Sequence, residues 1–337
     1  MKTLPAGIRI VALLCTAVSM AWASPALADN LNLRVVNWNI FNRPNSAQDE
    51  VDARAILDAI NQETVNGLAD GIDILALQET DTGGTQSYQK TLALLNSLGD
   101  GSFAGDFSSA SGGGDRTAII YDTTELTRLS SVSISGLPGQ TNPHTRTQFR
   151  PVGSTDPADD LYVYSLHLTS GGGAAGRASE MTALLNNADA LGPDANILFV
   201  GDLNVRNFES AYTQPLGPGN ASFNDPWVED GNAAFSPAAF TQDPRPGRAF
   251  DDRFDLQLAS TEFFDDALLG WEYLDGSYRA FGNGPDYAAL RATGVFNSVS
   301  DHLPVVADYG FFVPEPAAAW LIVSGLAMVV GRRRRVA

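Results

Sequence analysis

Polar side chains that could bind a metal and transfer protons recur where the apolar runs of this sequence end. In residues 197–204, four apolar residues lead into a glycine, after which Asp202 and Asn204 stand two positions apart. Such a run is typical of a buried strand, on which side chains two apart share a face. The pattern predicts a carboxylate and an amide that point together into a cleft, although Gly-Asp turns after strands are also common.

Other predicted strands end in the same way. The further polar residues at or just past apolar runs are Asn39, Glu79, His167, Asp255, Asp301 and His302. Taken singly, each of these residues also has a purely structural explanation. A charge can emerge at a strand end, and an aspartate and a histidine can form a satisfied pair. The alternating run around Asp255 favours a solvent-facing side chain. Two of the three histidines of the chain nevertheless fall in this set.

Helical and strand periodicities alternate along the chain. Helical spacing is predicted in residues 52–66, 89–98 and 177–190, and strands in residues 33–40, 72–77, 117–121, 129–135, 161–168, 253–258 and after 300. Glycine-rich turns are predicted at 111–115 and 171–173. The stretch 205–250 is long for a segment without structure, so it forms either a substrate-facing loop region or short elements. No linker interrupts the apolar pattern, which predicts one α/β domain over residues 29–312.

The N-terminus has the composition of a secretory signal peptide. Lys2 and Arg9 precede an apolar stretch at 10–20, and Ala26 and Ala28 form an A-x-A cleavage site. A buried N-terminal helix is the alternative. Because Cys15 is the only cysteine and lies in this segment, we expect residues 1–28 to be removed and the mature protein to lack disulfides.

The C-terminus has three parts: Val-Pro-Glu-Pro at 313–316, an apolar stretch at 317–331 and four arginines at 332–335. A helix over 317–331 would reach about 22 Å, short of a bilayer core of about 30 Å. The order resembles the PEP-CTERM sorting signal of Gram-negative bacteria (313–337), which implies an exosortase-type sorting machinery and transient membrane anchoring through 317–331. The alternative is a single-span tail anchor. Both predict an exported domain, whether periplasmic, cell-surface or extracellular.

The chain is strongly acidic, with a formal net charge of −18 at pH 7. Such a field repels polyanions and attracts divalent cations. This argues against tight, non-specific wrapping of nucleic acid. It is compatible with cleavage of DNA when a metal ion bridges enzyme and phosphate.

The polar motifs occur in the order found in the endonuclease/exonuclease/phosphatase family, which includes deoxyribonuclease I, abasic-site endonucleases, inositol-polyphosphate phosphatases and bacterial sphingomyelinases. The motifs that carry this resemblance are Asn37-Trp38-Asn39, Gln78-Glu79, His167, Gly201-Asp202-Leu203-Asn204, Arg253-Phe254-Asp255 and Ser300-Asp301-His302. The resemblance covers nearly the whole of 29–312. It implies a deoxyribonuclease I-like fold of the α/β (α+β) class, a four-layer αββα sandwich with the site at one edge.

The resemblance also implies a metal site. Glu79 would be the main ligand, with Asn39 beside it and Asp301 contributing. Mg²⁺ suits such a site because it prefers oxygen ligands and keeps several waters, and Mn²⁺ or Ca²⁺ could replace it. Some family members carry an acidic residue two positions after the first asparagine, where this chain has Phe41, which puts a second metal in doubt.

The same resemblance implies roles for the remaining polar residues. His302 would act as general base or electrostatic partner, oriented by Asp255. Asp202 would position or activate the attacking water, and Asn204 would donate to the phosphate. His167 would bind a phosphoryl oxygen or assist the leaving group. Three arginines lie near positions at which family members clamp phosphate, namely Arg116, Arg146 and Arg150.

These observations predict an exported, divalent-metal-dependent phosphoester hydrolase that uses a metal-activated water and a His-Asp pair. A phosphodiesterase, and in particular a nuclease, is the leading interpretation. The alternatives are a sphingomyelinase-like lipid phosphodiesterase, a phosphomonoesterase and a non-catalytic surface binding module. A lipid-directed enzyme would need an exposed apolar hairpin, for which 271–274 is a candidate unless those residues belong to the core.

Overall fold

The computed structural model describes residues 30–80, 86–109, 115–171, 173–219, 221–242, 250–265 and 269–313. The predicted signal peptide lies outside these residues, as do the predicted sorting signal beyond Val313 and most of the turn predicted at 111–115. In the part of the chain that is described, no helix is both long and apolar enough to cross a membrane.

Strands and helices alternate in the described residues. The strands are β1 (Leu31–Asn39), β2 (Thr64–Val65), β3 (Leu68–Ala69), β4 (Ile72–Thr80), β5 (Phe103–Phe107), β6 (Arg116–Asp122), β7 (Leu126–Ile134), β8 (His144–Pro151), β9 (Leu161–His167), β10 (Asn196–Asp202), β11 (Phe223–Asn224), β12 (Asp255–Ser260), β13 (Gly270–Tyr273), β14 (Arg279–Ala280) and β15 (Val305–Phe312). The helices are α1 (Ala47–Asn61), α2 (Gln86–Leu98), α3 (Gly173–Asp189), α4 (Ser210–Thr213), α5 (Pro226–Glu229), α6 (Ala288–Ala292) and α7 (Val295–Val299).

Two mixed sheets form the centre of the fold. The first has the strand order β13-β15-β1-β4-β6-β5, with β14 paired to β15, and the second has the order β11-β12-β10-β9-β8-β7. β1 and β4 are parallel in the first sheet, and β9 and β10 are parallel in the second. The carboxyl ends of each parallel pair therefore meet at one edge of their sheet, which positions the polar residues that follow these strands.

Alternation along the strands separates three cores. In β1, Val35 belongs to a central core between the sheets, whereas Val36 packs with Ile56 of α1 on the outer face. On the outer face of the second sheet, Leu184 of α3 packs against Phe199 of β10. Because each sheet is apolar on both faces, helices must cover the outer ones. The predicted four-layer αββα sandwich is confirmed.

Helix α1 begins five residues earlier than its hydrophobic spacing predicts. Ser46 caps it: the Ser46 hydroxyl accepts from the Asp49 amide, and the Asp49 side chain accepts from the Ser46 amide. This reciprocal box satisfies two of the amides that a helix start leaves unpaired. The helix ends at Asn61, before the predicted residue 66, and Asn66 and Gly67 adopt positive φ in the turn between β2 and β3.

The stretch 205–250 contains short elements rather than an unstructured loop in its described part. It holds α4, β11 and α5, and Asp225 at the start of α5 accepts two hydrogen bonds from Arg253, at 2.6 and 2.8 Å. Both side chains are completely buried. The paired charges therefore anchor this stretch to the start of β12.

The candidate membrane hairpin at 271–274 is part of the core. Trp271 and Tyr273 lie in β13 and are 3% and 2% exposed, packed in the central core with Tyr309. Trp271 also donates a hydrogen bond to the Asp159 carbonyl at 2.9 Å. The lipid-directed interpretation loses the feature on which it depended.

Candidate active site

Five strand termini bring polar side chains to one edge of the sandwich. Asn39 ends β1, Glu79 lies near the end of β4, His167 ends β9, and Asp202 ends β10. β12 runs antiparallel to β10, so its first residue, Asp255, lies opposite Asp202. Residues from distant parts of the sequence thus meet because the sheets stack with these ends aligned.

Glu79 and Asn204, which follows β10, have strained backbones. Glu79 has a φ of +51° and Asn204 a φ of +50°, in the left-handed region that non-glycine residues rarely adopt. The strain turns the chain out of its strand at the site. The Asn204 amide then donates to Asp202 Oδ1 at 2.9 Å, and its side-chain Nδ2 donates to the Leu168 carbonyl at 2.9 Å. Such outliers concentrate at functional sites, where the surrounding structure holds them in place.

Asn39 joins the two carboxylates of the site. Its Nδ2 donates to Glu79 Oε1 and to Asp202 Oδ2, each at 3.0 Å, and its Oδ1 accepts from the Phe41 amide at 3.0 Å. Asn39 therefore lies beside Glu79 as predicted, but it presents its nitrogen to both carboxylates. In this geometry it orients Glu79 and Asp202.

His302 and Asp255 form a buried pair. His302 Nδ1 lies 2.7 Å from Asp255 Oδ2, and Thr241 Oγ1 donates to the same oxygen at 2.6 Å. Asp255 is fully buried, so the solvent-facing alternative for it is wrong. Burial alone would lower the pKa of His302, but the charges of Asp255 and Asp202 outweigh burial and raise it to about 10.

His167 lies near the same oxygen of Asp202 as His302 does. Its Nε2 lies 3.7 Å from Asp202 Oδ2 and 3.9 Å from Glu79 Oε1. Its Nδ1 lies 3.1 Å from Asn142 Nδ2, and the Asn142 Oδ1 accepts from the Asp115 amide at 3.1 Å. Since this fixes the Asn142 amide, its nitrogen donates to Nδ1 of His167. Nε2 then carries the proton and faces the carboxylates. Asn142 could not be recognised from the sequence, because it follows no apolar run.

The surroundings of Glu79 and Asp202 disfavour the charged form of each carboxylate, and a bound cation would offset this. Burial raises the pKa of Glu79, and the charges of Asp202 and Asp115 raise it further, against the opposing effect of His167. Burial likewise raises the pKa of Asp202, with His302 opposing. Acidic oxygens forced together in this way fit a divalent cation.

Two groups of side chains have ligand atoms that all lie within 4.8 Å of one another. The groups are Glu79, His167 and Asp202, and Asp202, Asp255 and His302. Among the described residues, Asp301 belongs to neither group. It is half-buried beside His302, whose pKa its charge helps to raise.

Arg116 alone of the three predicted arginines lies near these carboxylates along the chain of strand pairings. Arg116 in β6 pairs with Thr80 in β4, and Thr80 directly follows Glu79. Its guanidinium lies 5.1 Å from the centre of the Phe107 ring.

Arg146 and Arg150 are held away from the edge by other partners. Arg146 donates to Asn187 Oδ1 of α3 at 2.9 Å, on the outer face of the second sheet. Arg150 binds both oxygens of Asp160, at 2.5 and 3.0 Å, at the end of β8 opposite the site. The prediction that these two arginines clamp phosphate has no geometric support, because strand register and outer-face packing separate them from the carboxylates.

A cavity of about 500 Å³ opens beside Asn204. It is lined by residues that include Arg177, Arg206, Gln242 and Phe254. Arg206 is exposed, and its guanidinium lies 5.7 Å from the centre of the Phe254 ring. Arg177 is instead buried and bound by Glu209 at 2.7 Å. Arg206 was not predicted as a site residue from the sequence, although it stands only two positions after Asn204.

An αββα sandwich whose edge gathers acidic and imidazole groups in this way is the architecture of a metal-dependent phosphoester hydrolase. The chain belongs to the Endonuclease/Exonuclease/phosphatase family, whose model matches residues 36–302. This confirms the predicted family and enzyme class; members of the family use divalent metals. No curated protein sequence matches the chain significantly.

Solved structures share the fold at low sequence identity. A humanized D. rerio TDP2 is 19% identical, with a TM-score of 0.58, over 82% of this chain and 98% of its own. D. rerio TDP2 complexed with a single strand DNA product is 18% identical, with a TM-score of 0.57 and the same coverage. The human Nocturnin catalytic domain with bound sulfate is 21% identical, with a TM-score of 0.57, over 84% of this chain and 97% of its own.

Proposed function

We propose that this protein is a Mg²⁺-dependent phosphodiesterase, with nucleic acid as the leading substrate. The observation that carries the proposal is that carboxylate oxygens of Glu79 and Asp202 lie within 4.8 Å of each other and of a His167 ring nitrogen, which faces them as a donor, at a site bordered by a cavity. Mn²⁺ or Ca²⁺ could take the place of Mg²⁺, since the donors are mainly oxygens.

Glu79 would hold the ion, and Asn39 would keep the Glu79 carboxylate oriented through its hydrogen bond. Asp301 is a further candidate ligand through its position next to His302. A bound Mg²⁺ would stabilise the negative charge that develops on the phosphoryl oxygens. The fit rests on the Glu79 carboxylate, whose pKa is raised by burial and further by the charges of Asp202 and Asp115.

Asp202 would accept the proton of the attacking water. Its raised pKa brings its basicity closer to the pH at which a general base works well. His302, with a pKa of about 10, carries a proton at neutral pH and would donate to a phosphoryl oxygen rather than act as the base. Asp255 fixes the ring through the 2.7 Å contact with Nδ1.

His167 would donate from Nε2 to a phosphoryl or leaving-group oxygen. This assignment is supported by the donor from Asn142, which occupies Nδ1 and leaves the Nε2 proton facing the site. Asn204 would donate to the phosphate with its second amide hydrogen, since the first is used by the Leu168 carbonyl. Arg116 is a further candidate for phosphate binding at this edge.

The substrate would be a diester whose second half enters the cavity beside Asn204. Arg206 is an exposed cation in that cavity, and it lies over an aromatic ring. A guanidinium can bind a phosphate oxygen, and an adjacent ring can stack on a base. A related fold, D. rerio TDP2, is complexed with a single strand DNA product, which also favours nucleic acid as the first substrate to test.

A substrate panel tests this proposal. Purified residues 29–312 would be assayed on plasmid DNA, RNA, bis-p-nitrophenyl phosphate, sphingomyelin and inositol phosphates, with and without Mg²⁺. We expect hydrolysis of bis-p-nitrophenyl phosphate and of a nucleic acid, with Mg²⁺ only. Turnover of inositol phosphates alone would indicate a phosphomonoesterase, and turnover of sphingomyelin alone a lipid phosphodiesterase; either result would contradict the proposal.

We also propose that the protein is exported from a Gram-negative cell. Support comes from the basic, apolar and A-x-A order of residues 1–28 and from the Pro-Glu-Pro, apolar and arginine order of 313–337. Exosortase-type machinery would process the tail after transient anchoring through 317–331. Mass spectrometry of protein from fractionated cells should find a mature N-terminus at residue 29 outside the cytoplasm. Intact residues 1–28 on cytoplasmic protein would contradict export.

A further inference from the structure

The third histidine of the chain lies directly behind the site in a completely buried pair. His144 begins β8, and Glu180 lies in α3; both are 0% exposed. Neither residue follows an apolar run, and neither faces the cavity or the carboxylate cluster. The pair nevertheless contacts the backbone on both sides of Leu168, at the end of the strand that carries His167.

Three hydrogen bonds connect the pair to that strand end. The His167 amide donates to His144 Nδ1 at 3.2 Å, and His144 Nε2 lies 3.0 Å from Glu180 Oε1. The Thr169 amide donates to Glu180 Oε2 at 3.0 Å. A continuous chain therefore runs from one backbone amide through an imidazole and a carboxylate to a second backbone amide.

The two amides at the ends fix the direction of every bond in this chain. A backbone amide can only donate, so Nδ1 of His144 must accept, and the ring proton must lie on Nε2. Nε2 then donates to Oε1 of Glu180, and Oε2 of the same side chain accepts from the Thr169 amide. Any other proton arrangement sets two donors or two acceptors against each other in a dry interior, which is costly.

This chain of hydrogen bonds takes the place of backbone pairing between β8 and β9, which ends before it reaches His167. The β8–β9 ladder stops at the pair Thr145 and Ser165, two residues before His167. In the same register, Pro143 would stand opposite His167. The side chain of His144 therefore takes the amide that the neighbouring backbone leaves without a ladder partner.

We propose that His144 and Glu180 are positioning residues for His167. They hold the amides on either side of Leu168, and so keep Nε2 of His167 at 3.7 Å from Asp202 and 3.9 Å from Glu79. This inference rests on the proposed phosphodiester hydrolysis, in which His167 acts on the reacting phosphate. A small displacement of such a group slows turnover more than it weakens substrate binding.

Two substitutions of His144 separate its two hydrogen bonds. In His144→Asn, Oδ1 stands about where Nδ1 stood and can still accept from the His167 amide, while the bond to Glu180 is lost. In His144→Gln, the amide nitrogen stands about where Nε2 stood and can still donate to Glu180, while the His167 amide loses its acceptor. Both variants disturb one buried bond, so a purely structural role predicts similar effects.

We expect His144→Gln to lower kcat for bis-p-nitrophenyl phosphate with Mg²⁺ by at least about 10-fold, with KM little changed. His144→Asn should keep most of the kcat. Assays are run below the melting temperature of each variant. Asp160→Asn is the matched control, because it breaks the ion pair with Arg150 at the opposite end of β8 and β9; it should lose stability and keep kcat.

Hydrogen exchange gives a second measurement that needs no substrate. The His167 amide should exchange faster in His144→Gln than in His144→Asn, and the Thr169 amide faster in Glu180→Gln than in the wild type. Equal kcat values in the two His144 variants, or equal exchange at His167, would overturn the proposal. If the wild type hydrolyses no phosphodiester, the proposed function fails, while exchange at His167 still decides whether His144 holds this strand end.

Discussion

The chemistry of the site depends on how single side chains are charged. His302 is buried between Asp255 and Asp202. Burial alone would lower its pKa, but the two carboxylates raise the pKa to about 10. A group protonated at neutral pH is an electrostatic donor. The raised pKa supports the electrostatic role that we propose for His302, and the sequence alone could not indicate it because Asp255 and Asp202 precede His302 by 47 and 100 residues.

Removal of the imidazole should slow the reaction strongly. We expect His302→Ala to lower turnover of bis-p-nitrophenyl phosphate by at least about 10²-fold, the scale of a lost proton donor or acceptor. Thr241→Val is the control, because it removes the other hydrogen bond to Asp255 Oδ2 and leaves the imidazole in place. Steady-state kinetics should show a much smaller loss for it. Near-normal turnover in His302→Ala would mean that the donor is another group.

The same pKa predicts a dependence of stability on pH. Because the pKa of His302 rises from about 6.5 in the unfolded chain to about 10 in the folded one, its contribution to stability is complete below about pH 6.5. That contribution is lost as pH rises through 10. Urea unfolding at pH 7 and pH 9 should therefore show that the stability advantage of the wild type over His302→Gln shrinks with pH. A constant advantage would contradict the raised pKa.

At the scale of elements, the site depends on where strands end. Apolar runs predicted the strands that carry Glu79, His167 and Asp202, because buried strands leave a clear hydrophobic pattern. β8 was not predicted, since its buried positions include Thr145 and Thr147 in place of apolar residues. The helix start at Ser46 was missed because its capping residues precede the apolar spacing.

At Gly201, strands β9 and β10 lie so close together that a side chain has no room. It has a φ of +141°, and an added Cβ would lie 2.1 Å from the Leu166 carbonyl oxygen of β9. We expect Gly201→Ala to separate the strands just before Asp202, lowering both stability and turnover, with overpacking costing about 1–3 kcal/mol beyond backbone strain.

Gly67→Ala is the matched control for Gly201→Ala. Gly67 has a φ of +84° and no atom within 4 Å of an added Cβ, so strain alone should cost about 1–2 kcal/mol. Urea unfolding and kinetics of both variants make the comparison. Equal losses of stability, with turnover retained in Gly201→Ala, would show that the close approach is unimportant.

At the scale of the whole molecule, the sandwich makes one site from residues that are distant in sequence. The family resemblance predicted the four layers, whereas periodicity alone predicted only a mixture of strands and helices. Neither could supply the alignment of the two sheets, which sets Asn39 of the first within hydrogen-bond distance of Asp202 of the second. The placement of Arg150 at the opposite end follows from the same register and could not be predicted locally.

The most direct test of a single divalent ion at this edge is the Mg²⁺ dependence of Glu79→Gln. In metal-free buffer, wild-type turnover of bis-p-nitrophenyl phosphate should vanish and return with added Mg²⁺. Glu79→Gln should raise the half-saturating Mg²⁺ concentration by at least about 10-fold. Glu63→Gln is the control, because the Glu63 carboxylate pairs with Arg279 away from the site; its Mg²⁺ dependence should match the wild type. Turnover that survives strong chelation, or an unchanged Mg²⁺ dependence in Glu79→Gln, would contradict the metal site.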